Sequence, residues 1–223
     1  MVSRRDALKR MGAMAAGAAI GVPGDAGSGA EVGPIGVQLY TVRSEMANGV
    51  EATLERVAAI GYEEVEFAGY FGHSPSEIRE MLTRTGLRSP ATHIAPDFEP
   101  DAWARILDNA NEVGHRYVVV ASIPTAMRSD LDAWRRTAAA MTSAGERARA
   151  AGLSYAYHNH DFEFEEMEGR IPFDVFCEES DEHLVSIELD LFWIIHGGAD
   201  PIDFFERWPG RVPMVHVKGR KAN

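Results

Sequence analysis

The sequence has one cysteine, Cys177, in 223 residues, so no internal disulfide framework holds the chain together. It is also short of positive charge. Twenty-two lysines and arginines stand against 34 aspartates and glutamates, a formal net charge of −12. A surface of that sign repels phosphate backbones, which argues against nucleic acid and anionic membrane as partners. Long apolar runs are missing: Met11 to Val22 is too short and too weakly apolar for a spanning helix. A glycine-rich phosphate loop is missing too. The first strand-like segment, Ile35 to Val42, runs straight into Arg43, where a doubly wound nucleotide-binding fold would place its glycines. At 45% hydrophobic and 25% charged residues, the remainder reads as a soluble globular chain with a real core.

The start of the chain has a character of its own. Arg4, Arg5, Lys9 and Arg10 precede the run from Met11 to Val22, and small residues follow through Ala30. That order of basic, apolar and small residues is the order of an export signal. Ser3-Arg4-Arg5-Asp6-Ala7-Leu8-Lys9 is similar to a twin-arginine signal, a route for proteins exported already folded. Residues 1–30 are therefore expected to be a signal, and residues 31–223 the mature domain. The mature protein is expected outside the cytoplasm, periplasmic or extracellular, with no stable membrane association after cleavage.

Past residue 30, strand-like runs alternate with helical ones. Strands are predicted to begin near Pro34, Tyr62, Leu87, His115, Leu153, His183 and Arg211. The spacing of roughly thirty residues is that of a strand–helix unit. Such alternation needs crossover connections and hence a parallel sheet. The helices are well punctuated. Ser74-Pro75-Ser76-Glu77 predicts a capping box, and Gly86 a left-handed helix end. Trp103, Ile106, Leu107, Ala110 and Val113 predict an apolar stripe, and Asp200-Pro201 opens a further helix carrying Phe204, Phe205 and Trp208 up to Gly210. Seven such strands in unbroken series favour an α/β fold of the (β/α)8 TIM-barrel type over an open sheet, lacking the last helix, strand and helix. With the barrel unclosed, its edge strands are expected to drive self-association, so a homo-oligomer or an unstable product is anticipated.

In a barrel of this kind chemistry gathers at the C-terminal strand ends. Glu64 and Glu66 lie at the second strand, His93 at the third, and the run Tyr157-His158-Asn159-His160-Asp161-Phe162-Glu163 at the fifth. Glu188, Asp190 and Trp193 lie at the sixth strand, His216 and Lys218 at the seventh. Period-two alternation places His158 with His160, Glu188 with Asp190, and His216 with Lys218 on shared faces. Imidazoles and carboxylates are rarely buried unpaired. Converging in one mouth they suit a divalent ion: manganese, magnesium, cobalt, zinc or iron. Single histidines weigh less, since a lone strand-end histidine such as His93 is more often a hydrogen-bonded core residue. His158-Asn159-His160 also spells a nuclease motif, but three letters without a compact ββα unit carry little, and the net charge argues against that reading.

Several segments taken together carry a family likeness. Gly36-Val-Gln-Leu-Tyr-Thr-Val-Arg43, Ile60-Gly-Tyr-Glu-Glu-Val-Glu-Phe-Ala-Gly-Tyr70, Tyr157-His-Asn-His-Asp-Phe-Glu-Phe164, Glu188-Leu-Asp-Leu-Phe-Trp193, Gly198-Ala-Asp-Pro201 and His216-Val-Lys218 resemble the sugar phosphate isomerase/epimerase family of xylose-isomerase-like TIM barrels. The resemblance runs from Pro34 to Lys218. It implies a divalent metal bound by Glu, Asp, His and Glu from strands five to eight. Asp190 and His216 match the second and third of these. His158 stands where many relatives have the first Glu, and Glu163 offers a carboxylate from the following loop. The family continues with Asp after the strand-seven Lys, where this chain has Gly219.

The function expected is a metal-dependent isomerase or epimerase of a sugar or sugar derivative, working by proton abstraction next to a carbonyl. The metal set is His158, Asp190, His216 and Glu163. His160, Glu188, Lys218 and His93 are the catalytic candidates, and Gln38, Glu66 and Trp193 line the pocket. The rival readings are a metal-dependent lyase or hydratase acting on oxidised sugars or inosose-like compounds, and a sugar-binding barrel without catalysis.

Overall fold

The structure is a computed structural model and describes residues 34–219. The expected signal in residues 1–30 lies outside the described residues. All seven expected strands are present: β1 (Gly36–Gln38), β2 (Glu64–Ala68), β3 (Arg88–Ile94), β4 (Tyr117–Val120), β5 (Ser154–His158), β6 (Ser186–Asp190) and β7 (Met214–His216). They form one sheet in chain order, and every neighbouring pair is parallel. The sheet curls into a half-barrel, far enough for His216 on β7 to reach Glu66 on β2 at 2.7 Å. Among the described residues β1 and β7 are its edges and do not pair with each other.

Between the strands lie the helices α1 (Arg43–Asn48), α2 (Val50–Ile60), α3 (Pro75–Thr85), α4 (Pro100–Val113), α5 (Leu131–Ala150), α6 (Pro172–Glu179), α7 (Leu191–His196) and α8 (Pro201–Arg207). The predicted capping box at Ser74 forms, with Glu77 accepting from the Ser74 N–H at 2.7 Å and Ser74 Oγ accepting from the Glu77 N–H. Trp103, Leu107, Ala110 and Val113 form the buried stripe of α4. The last helix stops earlier than expected: α8 ends at Arg207, Trp208 is its cap, and Gly210 lies beyond it. Helix α5 packs so closely that a Cβ on Gly145 would lie 2.5 Å from the Leu184 carbonyl oxygen; only glycine permits that approach. Among the described residues no helix is long and apolar enough to cross a membrane.

The pleat divides the sheet into two unlike faces. The outward residues Val65, Phe67, Val118, Val120, Tyr155, Tyr157, Ile187 and Leu189 are buried under the helices in two large apolar clusters. Inside the curl the buried apolar cluster consists of Ala91, Val119 and Ala156, with Tyr117 and Met214 against it. These mostly small side chains fill the floor and leave the C-terminal ends of the strands to polar residues.

Candidate metal and substrate site

Register brings the polar residues together. Gln38 lies beside Glu66, Ala68 beside His93, His158 beside Glu188, and Asp190 beside His216. Each faces inward because its sequence neighbours, such as Val65 and Phe67 around Glu66, face the helices. Two groups result, each with one ligand atom per residue and all of those atoms within 4.8 Å of one another. The first is Glu66, His93, Glu188 and His216; the second is His158, Asp190 and His216.

In the first group His93 Nε2 lies 2.7 Å from Glu188 Oε2 and 3.4 Å from Glu66 Oε1. His216 Nε2 lies 2.7 Å from Glu66 Oε2 and 3.4 Å from Glu188 Oε2. In the second group His158 Nε2 lies 3.2 Å from Asp190 Oδ2, and Lys218 Nζ approaches the same oxygen at 2.5 Å. His216 belongs to both groups, with Nδ1 3.6 Å from Asp190 Oδ2. Asp190 Oδ1 accepts from the N–H groups of Phe192 and Trp193 and so caps α7.

The charges are strongly interdependent. Burial works to raise the Glu188 pKa, but its hydrogen bond to His93 and the nearby imidazoles outweigh it and bring it down to about 2. Burial also opposes the Asp190 charge, and its neighbours His158, His216 and Lys218 overcome it and hold the carboxylate far below its ordinary range. Burial, then repulsion from Glu188, pushes Glu66 up. His216 is desolvated, yet the carboxylates of Asp190, Glu66 and Glu188 raise it to about 10. Burial lowers His158, more than Asp190 can restore.

His158 shows whether a divalent ion fits. Its Nδ1 faces the Ala121 carbonyl oxygen at 3.1 Å. A carbonyl only accepts, so Nδ1 carries the proton of the neutral ring. Nε2 then turns a lone pair toward the Asp190 carboxylate. Two acceptors facing each other leave a place for a cation, and a backbone carbonyl fixing the tautomer is the usual support of a metal-bound histidine. The residues present therefore fit a divalent ion, with a nitrogen- and oxygen-donor set.

Gln38 accepts from the Tyr40 N–H through Oε1, while its Nε2 is buried without a partner. His160 does not share a strand face with His158, because β5 ends at His158. It lies in the loop, stacked on Phe162 and tilted against Trp193 at 5.3 Å. Burial lowers its pKa to about 4, with help from the neighbouring His158. Lys218 likewise lies past the end of β7 but still reaches Asp190, with Nζ 5.4 Å from the Trp193 ring centre. Glu163 is not brought to either group. Its oxygens are taken by the Tyr157 hydroxyl at 2.6 Å and the His160 N–H at 2.9 Å, so it braces the loop from the helix side, and burial raises its pKa to about 7. His73, in a loop, and His196, the last residue of α7, stay outside both groups.

Asn159, passed over in the sequence, is fully buried and ties β5 to β6. Its Oδ1 accepts from the Asp190 N–H at 2.8 Å, and its Nδ2 donates to the His160 carbonyl. A buried asparagine beside a strand end must find partners for its amide; that was the available signal. Gly197, after α7, lies so close to the β5 loop that a Cβ there would meet Asp161 O and Phe164 Cβ at 2.9 Å.

Comparison with known proteins agrees with this architecture. The family model for xylose isomerase-like TIM barrels matches residues 54–223. Inosose dehydratases from Geobacillus kaustophilus (strain HTA426) and Lacticaseibacillus casei are each 22% identical to the chain over 75% of its length. The chain spans 61% and 62% of the length of those two relatives. A solved sugar phosphate isomerase/epimerase from Parabacteroides distasonis ATCC 8503 superposes with a TM-score of 0.75 at 26% identity, over 89% of this chain and 80% of that one.

Proposed function

This chain belongs to the xylose isomerase-like TIM barrel family, and on that premise we propose that it is a metal-dependent isomerase or epimerase of a sugar or sugar derivative. One observation carries the reading: imidazoles and carboxylates from β2, β3, β5, β6 and β7 converge on a single mouth. His158, Asp190 and His216 would hold a divalent ion, which supplies Lewis-acid stabilisation of negative charge on substrate oxygen. The chain's own groups do the rest. His160 is neutral at neutral pH, and its Nδ1 is buried without a partner; it takes a proton from the carbon next to the substrate carbonyl and returns one to the same or the adjacent carbon. Glu188, held ionised by His93, is the second proton acceptor on this wall. The Lys218 ammonium balances charge developing on oxygen. The unpartnered N–H donors of Gln38 and Trp193 hold hydroxyl groups, since a buried donor left without a partner costs about 1–3 kcal/mol.

A dehydratase is the second reading, favoured by the inosose dehydratase relatives. The same proton is removed, and a hydroxyl on the next carbon leaves as water. The two are separated by incubating the Mn2+-supplemented protein with keto-sugars and inososes in deuterated water under NMR. Deuterium at one carbon of an otherwise isomeric product means isomerase or epimerase, and loss of water means dehydratase. No conversion of any of these substrates by metal-loaded protein sinks both. The export signal belongs to the proposal: in the native host the mature protein should begin between Ala26 and Pro34, and replacing Arg4 and Arg5 by Lys should leave precursor in the cytoplasm. Mature cytoplasmic protein retaining Met1 would refute it.

A further inference from the structure

Asp190 is fully buried and has one oxygen to offer, because its Oδ1 accepts from the Phe192 and Trp193 N–H groups. Three nitrogens stand around the other oxygen, Oδ2: His158 Nε2 at 3.2 Å, His216 Nδ1 at 3.6 Å and Lys218 Nζ at 2.5 Å. The imidazoles are fixed by the sheet, His158 ending β5 and His216 ending β7. Lys218 is held differently. It lies past the last residue of β7, its side chain is 42% exposed, and its ammonium rides on a flexible four-carbon stem. The centre of the Trp193 ring, 5.4 Å from Nζ, marks a second favourable place for a cation. The residue type is a further observation. The chain has three lysines, Lys9, Lys218 and Lys221, among 22 basic residues, so lysine stands here in a chain that otherwise relies on arginine. A guanidinium would grip a carboxylate with a rigid planar fork, whereas an ammonium is a compact point charge that one oxygen can hold and release.

We propose that Lys218 is a tethered stand-in for the divalent ion: its ammonium occupies Asp190 Oδ2 and gives that oxygen up when the ion binds between Asp190, His158 and His216. A buried carboxylate with no cation beside it is costly, and the chain carries its own until the ion arrives. Like charges cannot share the one free oxygen, so the ion weakens the Lys218 contact and the Lys218 contact weakens the ion, by the same factor. The released ammonium swings on its stem toward the Trp193 face, inside the mouth. Its charge is then available to substrate oxygen only in protein that already holds the ion. The inference rests on the proposed function in placing the ion at His158, Asp190 and His216.

The test is a competition. The full chain, Lys218→Met and Lys218→Arg are stripped with chelator and titrated with Mn2+ alone, with free Mn2+ read by electron paramagnetic resonance. Circular dichroism melting shows that each variant is folded. Lys218→Met, which removes the tethered charge, should bind Mn2+ about tenfold more tightly than the unaltered chain, and Lys218→Arg, which keeps the charge, should not. A second measurement needs no substitution. Acetylation of Lys218 by acetic anhydride, followed by peptide mass and normalised to Lys221, should be faster in the unaltered chain at saturating Mn2+ than in chelator. Lys218→Met that binds Mn2+ no more tightly than the unaltered chain overturns the inference and leaves the metal site standing. Acetylation of Lys218 that bound Mn2+ does not change overturns it in the same way. No Mn2+ bound by any of the three chains overturns both the inference and the metal-dependent function.

Discussion

On the helix side of the sheet, buried polar groups mostly find partners within the protein. Trp103 Nε1 donates to the Ala144 carbonyl, His115 uses both ring nitrogens, on Ser89 O and the Tyr70 hydroxyl, and the Arg211 guanidinium donates to Val185 O, Cys177 O and Ser180 Oγ. On the inner side Gln38 Nε2, Glu66 Oε1, His160 Nδ1, Trp193 Nε1 and His216 Nδ1 are left over, while outside the mouth Arg147 Nε, Tyr155 Oη and Trp208 Nε1 are the atoms so left among the described residues. A fold optimised only for stability leaves few such atoms. The contrast teaches that the helix side is spent on folding and the inner side is kept open for what binds there.

The largest expected effect breaks the helix side. Phe173 is fully buried and stacks on Phe204 at 5.0 Å. Phe173→Ala should cost about 3–5 kcal/mol in denaturant unfolding, without changing which residues meet at the mouth. Next comes the inner side. Asp190→Ala should weaken divalent-ion binding by ~100-fold or more, measured by metal titration, but cost only about 1 kcal/mol of stability through the lost cap of α7. Equal losses of stability in the two variants would erase the distinction between the faces.

Acid sharpens the comparison from the helix side. Burial lowers the His115 pKa from 6.5 to about 4, so the unfolded chain binds its proton first. Stability from this group is complete above pH 6.5 and is lost as pH falls through 4, by at most about 3 kcal/mol. His115→Gln should flatten that part of the unfolding free-energy profile against pH. The smallest effect has the opposite sign. Glu66 has its pKa raised above 4.5 by burial and by Glu188, so its ionised form disfavours the metal-free fold as pH rises. Glu66→Gln should raise the melting temperature of metal-free protein at pH 8 and leave it unchanged below pH 4.5. A stability loss at pH 8 would show that Glu66 supports the fold rather than the site.

Much of this was legible in the chain because alternation and punctuation are local. Each strand begins within three residues of the position expected, and Glu188 and Asp190 share a face because both lie within β6. The parity argument failed where strands ended: His160 and Lys218 lie past the last paired residue, so loop packing against Trp193 and the reach to Asp190 decide their positions. Glu163 was misplaced for a related reason, since its partner Tyr157 belongs to the helix-facing set and draws the carboxylate to that side. The pairing of Glu66 with His216 spans the curl of the sheet, and no spacing along the chain encodes it.

The absence of a side chain at Gly197 has a mechanical consequence. With Asp161 O and Phe164 Cβ pressed to within 2.9 Å of where a Cβ would stand, the loop bearing His160 and the helix bearing Trp193 have no slack between them. They form a single linkage: whatever displaces the indole also displaces the imidazole tilted against it. Opening of the mouth would therefore be one relaxation with one rate, and a methyl group added at Gly197 would act as a wedge, separating two parts that now turn together.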